Sequence, residues 1–223
     1  PAVSDAHTLI LADKLVHASL IDGIRLSAAK CIRYRHNGLT QLERLLEEHH
    51  TTHHRVIIVT ESIFSMDGDQ ADLQKLTELK RKYDNVLLYV DEAHAFGVRG
   101  RQGLGCAEEF HCIHDIDFLV GTFGKAAASV GAYIVCKKVI REYLVNRMRT
   151  LIFTTGLPPV NIAWTLFIVR RLADMQERRK HLAHISRTLR EALQVRGYTC
   201  PSVSHIVPMI IGPSADTVLQ AEA

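Results

Sequence analysis

Nowhere in these 223 residues do about 18 apolar side chains run consecutively, which excludes a transmembrane helix of ordinary length. The five cysteines, at 31, 106, 112, 136 and 200, include no Cys-x-x-Cys pair. An odd, scattered set fits neither a disulfide framework nor a zinc ribbon, so reduced thiols in a cytoplasmic protein are expected. Excess charge is scarce too: 27 Lys+Arg stand against 24 Asp+Glu. With no basic block interleaved with aromatics, nucleic acid is not an expected partner. Repeats and low-complexity tracts are absent, and residues 1–11 lack the basic and apolar segments of a secretory signal. What is present is ordinary globular composition, 47% apolar and 23% charged. A chain of this length buries roughly 70% of its unfolded surface, enough for a true core. It opens without Met, and residues 216–223 read as the interior of a helix, so a segment of a longer protein is expected.

The patterning alternates. Residues 40–50 predict a helix with Thr40 and Glu43 as a capping box and Leu42, Leu45 and Leu46 as its apolar stripe. Residues 72–83 predict a second, with Leu73, Leu76 and Leu79 on one side. Between and after them lie short, continuously apolar runs at 56–60, 86–90 and 118–122. Strands without alternation, separated by helices, imply an α/β fold: a mostly parallel sheet covered by helices on both faces. A fourth run, 131–136, follows with no room for a crossover helix and is expected to pair antiparallel. Helices are expected over 137–149, from Pro158-Pro159 to about 178, and over 182–196 with Gly197 as its stop. A strand over 206–211 and a helix from about 214 follow. Residues 1–180 therefore read as a partial large domain with its linking helix, and 181–223 as the beginning of a small α+β domain.

Ligands of open α/β sheets sit outside the carboxyl ends of the strands. Three strand ends here carry polar chemistry. The run 86–90 leads into Asp91-Glu92-Ala93-His94, and 118–122 into Thr122-Phe123-Gly124-Lys125. The run 56–60 leads into Thr60-Glu61-Ser62-Ile63-Phe64-Ser65-Met66-Asp67-Gly68-Asp69. Each alone reads equally as a solvated loop or turn; together they place Ser65, Asp91, His94, Thr122 and Lys125 on one edge of one sheet. A lysine there can bind an anion or serve as an amine nucleophile. The histidines at 49, 50, 53 and 54 have partial zinc spacing, but no acidic or thiol ligand adjoins them, so no metal site is expected.

The set Asp13-x-x-x-His17-Ala18-Ser19, Thr60 to Asp69, Asp91-Glu-Ala-His94-x-x-Gly97, Thr122-Phe-Gly-Lys125 and Phe153-Thr154-Thr155-x-x-Pro158-Pro159 resembles the α-oxoamine synthases. These are fold-type I pyridoxal 5'-phosphate enzymes, and the resemblance covers nearly the whole chain. It implies a decarboxylating condensation of an amino acid with an acyl thioester, an acyltransferase reaction in a cytoplasmic homodimer. It also implies roles. Lys125 would hold the cofactor as a Schiff base and carry the substrate proton. Asp91 would pair with the pyridine nitrogen, and His94 and Ser65 with the ring oxygen. His17 would stack on the ring, and Thr122 would reach the phosphate. Thr154 or Thr155 would reach the phosphate of the neighbouring subunit's cofactor, and Glu61 would be the acid near the site. Two departures are expected to matter: the family's glycine-containing segment ahead of His17 and its carboxylate-binding arginine have no counterpart here. The stretch Ala126-Ala-Ala-Ser-Val130 replaces a more glycine-rich one, with little chemical consequence expected.

Overall fold

The computed structural model describes residues 1–222. Six strands form one sheet: β1 (Thr8–Asp13), β2 (Lys30–Tyr34), β3 (Arg55–Glu61), β4 (Val86–Asp91), β5 (Phe118–Thr122) and β6 (Ala132–Val135). Their spatial order is β2-β1-β3-β4-β5-β6. Every pairing is parallel except β5 with β6, which is antiparallel, as the missing crossover requires. Helices α1 (Ala18–Arg25), α2 (Leu39–His49), α3 (Leu73–Arg81) and the single turn α4 (Cys106–Glu109) connect the strands. Burial explains the continuous apolar runs: Leu9, Leu11, Val56, Ile58, Leu88 and Val90 have no solvent-exposed surface. The expected stripe of α2, Leu42, Leu45 and Leu46, is the face it buries. Among the described residues, no helix is long and apolar enough to cross a membrane.

The first three elements, β1, α1 and β2, lie ahead of the earliest helix the sequence predicts. Helix α1 begins at His17, whose side chain accepts from the Ser19 amide, an uncommon cap that the usual residue preferences do not flag. The expected capping box of α2 does not form. Its N-cap is Gly38 without a side-chain bond, and Glu43 pairs with Lys82 of the neighbouring helix end instead. An ion pair across elements stands in place of the local hydrogen bonds.

Beyond the sheet come α5 (Lys138–Arg147), α6 (Arg149–Ile152), α7 (Pro159–Arg171), α8 (Gln176–Val195) and α9 (Ser214–Glu222). Pro158 caps α7 and Pro159 is its first residue. The helix expected to reach about 178 ends earlier, and the one expected from 182 starts earlier. The break is a 3₁₀ turn at Ala173–Met175, and α8 runs on without interruption. Neither proline nor glycine marks that break; buried Leu172 does. Gly197, with φ +83°, stops α8 as expected, its amide donating to Gln194 O and that of Tyr198 to Leu193 O. The strand expected over 206–211 is not formed. Pro208 lacks a donor, and the segment's ladder is one isolated bridge, Thr199 to Ile210. The preceding turn spends itself elsewhere: Val203 N and Ser202 Oγ both donate to Gly68 O.

The four neighbouring histidines take separate partners. His50 bonds Leu46 O, His53 lies against His49 O, and His54 bonds His7 O. His36 is the histidine with a structural task. Its Nδ1 meets Asp13 Oδ1 at 2.9 Å and its Nε2 meets Asp69 Oδ2 at 2.7 Å, clamping β1, β2 and the turn after β3. Burial disfavours its charge, but the hydrogen bonds to Asp13 and Asp69 outweigh that and raise its pKa. A raised histidine stabilises fully below its ordinary pKa near 6.5, and that contribution fades as pH rises through the higher folded value. His36→Ala is therefore expected to cost about 2–3 kcal/mol at pH 6 and clearly less at pH 9. Urea unfolding of both proteins at the two pH values checks it.

Candidate active site

The parallel register puts Glu61 and Asp91 side by side at the carboxyl ends of β3 and β4. Thr122 ends β5 next to them, and the loop beyond it carries Lys125. Asp91 is largely buried. Its Oδ1 accepts from the Ala93 amide at 2.8 Å; among the described hydrogen bonds Oδ2 accepts none. Burial raises the Asp91 pKa, while the Ala93 amide and the charges of Lys125 and His17 pull the other way. Glu61 accepts from the His17 amide at 2.5 Å. Burial, reinforced by the Asp91 charge, pushes Glu61 up to about 7. His94 moves oppositely: burial first, then the charge of Lys125 and the nearby His205 and His17 rings, bring it down to about 4. At neutral pH it is an uncharged hydrogen-bonding ring. Lys125 is exposed and, among the described residues, has no ion-pair partner, although its charge acts on Glu61, Asp91 and His94.

Five of the expected residues thus converge: His17, Glu61, Asp91, His94 and Lys125. Ser65 lies half-buried in the turn after β3, on the same edge, with no described hydrogen bond. The Thr122 hydroxyl donates to Gly131 O at 3.1 Å and accepts from the Gly124 amide at 3.2 Å, bracing the lysine loop. Thr154 and Thr155 do not join the cluster within one chain. They stand exposed between α6 and α7, without described bonds to the edge.

Two features escaped sequence reasoning. Glu92, beside Asp91, is fully buried beneath the site, accepting from Ser62 Oγ and from the Cys106 and Ala107 amides. It anchors the start of α4, which no local spacing reveals. His205 arrives from beyond α8, close enough for its charge to depress His94. The loop after Lys125 also departs from expectation. Ala128 sits at φ +46°, a left-handed conformation that costs an L residue roughly 1–2 kcal/mol. The replacement of glycine by alanine is thus chemically mild but conformationally strained. Ala128→Gly should stabilise the protein by about 1 kcal/mol, read as a higher denaturant midpoint at unchanged m.

A family model described as aminotransferase class I and II matches residues 2–222. The chain belongs to that family. An 8-amino-7-oxononanoate synthase of Haemophilus ducreyi is 54% identical over 226 aligned residues, covering all of this chain and 58% of the relative. A Glaesserella parasuis protein that bears the same name provisionally is 59% identical over 223 residues, covering 59% of its length. The chain therefore spans less than two thirds of these relatives. Among solved structures, a serine palmitoyltransferase of S. paucimobilis with a bound PLP–myriocin aldimine superposes with a TM-score of 0.90 at 27% identity. That match covers 99% of this chain and 59% of the other. The 8-amino-7-oxononanoate synthase of Francisella tularensis gives 0.86 at 30% identity, over 99% of this chain and 66% of its own.

Proposed function

We propose that this chain is part of an 8-amino-7-oxononanoate synthase of biotin synthesis, a pyridoxal 5'-phosphate-dependent acyltransferase. It would join L-alanine to a pimeloyl thioester, of coenzyme A or of a carrier protein, with loss of CO₂. The observation that carries the reading is the exposed Lys125 amine beside a largely buried Asp91 whose second oxygen accepts none of the described hydrogen bonds. Those groups fit this cofactor. A desolvated carboxylate suits a protonated ring nitrogen, a neutral histidine suits a ring oxygen, and an unpaired amine suits an aldehyde. When bound, the cofactor supplies the electron sink that makes the substrate Cα acidic.

The residues supply the rest. The Lys125 amine would fasten the cofactor and, when free, would take the Cα proton and later return one. Asp91 would hold the proton on the ring nitrogen. His94 and Ser65 would bond the ring oxygen, and His17 would cover the ring face. Glu61, with a pKa near 7, is able to give or take a proton beside the substrate. Thr122 would contact the phosphate, although its hydroxyl proton is spent on Gly131 O.

Homodimerisation belongs to the same proposal. Phe153, Val160, Trp164 and Phe167 are exposed around α6 and α7, next to Thr154 and Thr155. A second copy seated there would bury those side chains and bring the two threonines to its cofactor phosphate. The five free thiols support a cytoplasmic setting, and residues 1–180 and 181–223 would belong to large and small domains respectively. A purely scaffolding subunit would have no use for Lys125. The test is coenzyme A release by the full-length protein with a matrix of alanine, serine and glycine against pimeloyl, palmitoyl and acetyl thioesters. Turnover confined to alanine with pimeloyl supports the proposal. Preference for serine with palmitoyl or glycine with acetyl would move the chain to another α-oxoamine synthase.

A further inference from the structure

We infer that Arg179, on α8, is a positioning residue for the active-site edge. It fixes the α7–α8 joint, and through that joint it keeps the His94 loop and the Lys125 loop in mutual register. Its part in catalysis rests on the cofactor reading above; the mechanical link does not.

Arg179 is only 8% exposed. Among the described residues it has no carboxylate partner. Its Nη1 donates to Leu172 O, and its Nη2 to Arg101 O, 78 positions away. Burying a guanidinium without a counter-ion is unfavourable, and an apolar side chain of similar reach would fill the space without that cost. What arginine adds is a rigid fork able to hold two carbonyls at once. One belongs to the joint between helices, the other to the loop beyond Asp91.

That loop is built to meet the guanidinium. Gly97 N donates to Gly103 O at 2.8 Å, closing it on itself. A Cβ at Gly103 would lie 2.9 Å from Arg179 Nη1, so the loop backbone and the guanidinium approach closely here, and the residue's φ of +83° favours glycine. At its other end, a Cβ on Gly97 would lie 2.8 Å from the Cβ of Ala126, the residue after Lys125. The loops that carry His94 and Lys125 therefore touch. No hydrogen bond among the described ones joins residues 93–105 to residues 123–130.

Leu172 supplies the connection. At 3% exposure it packs with Phe96, two residues past His94, and Ala127, two past Lys125. This small cluster is separate from the main core. The Leu172 side chain wedges between the two loops while its carbonyl is held by Arg179. Helix α7 adds two ties to the lysine loop. Trp164 Nε1 donates to Ala128 O at 2.9 Å, and Thr165 Oγ1 lies 2.7 Å from Ser129 Oγ. The break between α7 and α8 is thus the point where two catalytic loops are referenced to one frame. Freeing Arg179 should let that frame shift without disturbing the sheet.

The test uses full-length protein with Arg179→Met, which keeps bulk but no donors, and Arg179→Lys, which keeps charge but cannot bridge both carbonyls. Amide hydrogen exchange of the cofactor-free proteins is measured over residues 95–105 and 123–129. Arg179→Met is expected to speed exchange about tenfold in both loops, the scale of one lost charged hydrogen bond, with β3 and β4 unchanged. Arg179→Lys should fall between. Pyridoxal phosphate titration should show a dissociation constant raised by a similar factor. Faster exchange confined to α8 and residues 97–105, with 123–129 and cofactor affinity unmoved, overturns the inference. If Arg179→Met does not fold, Arg179→Lys and Leu172→Ala decide: unchanged exchange at 123–129 in both overturns it. If the wild-type protein gains no visible absorbance with pyridoxal phosphate, the cofactor reading fails while the exchange comparison still judges the link.

Discussion

Lys125→Ala is expected to abolish both turnover and covalent retention of the cofactor in the full-length protein while leaving the fold intact. In the proposed reaction the amine is the nucleophile, and none of the other residues gathered on the edge replaces it: His17 and His94 are imidazoles, and the remaining titratable members are carboxylates. Because the side chain is exposed and has no bond among the described residues, its removal should change unfolding free energy by no more than about 0.5 kcal/mol. The loss of its charge should raise the Glu61 pKa further, since Lys125 is one of the influences holding it down. Borohydride reduction followed by peptide mapping gives the direct reading. In the wild-type protein the cofactor label belongs on the peptide containing Lys125, and in the variant nowhere. A label on another lysine, or turnover by the variant, would remove Lys125 from its assigned role.

Asp91→Asn has a comparable effect by a different route. An amide does not hold the proton on the ring nitrogen, and the ring then draws electrons from the substrate less strongly. The loss of one preorganised electrostatic group typically reduces kcat roughly 10²–10³-fold, and this group sits at the centre of the chemistry. Removing one partner of a buried charge pair should also weaken cofactor binding by about 2–5 kcal/mol.

The cofactor-free variant should move the opposite way. Glu61 is pushed up first by burial and second by Asp91. A carboxyl group with a raised folded pKa contributes stability below its unfolded pKa and loses it as pH rises through about 7. Without the Asp91 charge the Glu61 midpoint should fall, though not to its ordinary value, because burial remains. The apo variant should therefore be more stable than wild type above pH 7. Slower turnover with unchanged pH dependence of apo stability would mean that the two carboxylates are not coupled as their shared register implies.

Much of this molecule follows from residue order alone. The runs at 56–60, 86–90 and 118–122 are strands because continuous apolar sequence of that length is stable only between two helical layers. The polar residues that close each run then fall on one edge, since parallel strands share a direction. That places Glu61, Asp91 and Lys125 together without any knowledge of coordinates, and the short link to β6 sets its antiparallel pairing. Gly197 ends α8 for an equally local reason, its freedom at positive φ. Other features belong to contacts between distant residues, which no window of sequence contains. Glu43 leaves its expected cap for Lys82. The chain breaks at Ala173–Met175, with Leu172 buried between two loops and its carbonyl taken by Arg179. Residues 206–211, apolar enough for a strand, make one isolated bridge among the described residues, and Pro208 offers no donor. The protonation of the site is decided the same way: Glu61 near 7 and His94 near 4 are ordinary side chains until folding buries them and sets their charges against one another. Sequence fixes direction and periodicity, which are local; desolvation and long-range pairing exist only once the chain has closed on itself.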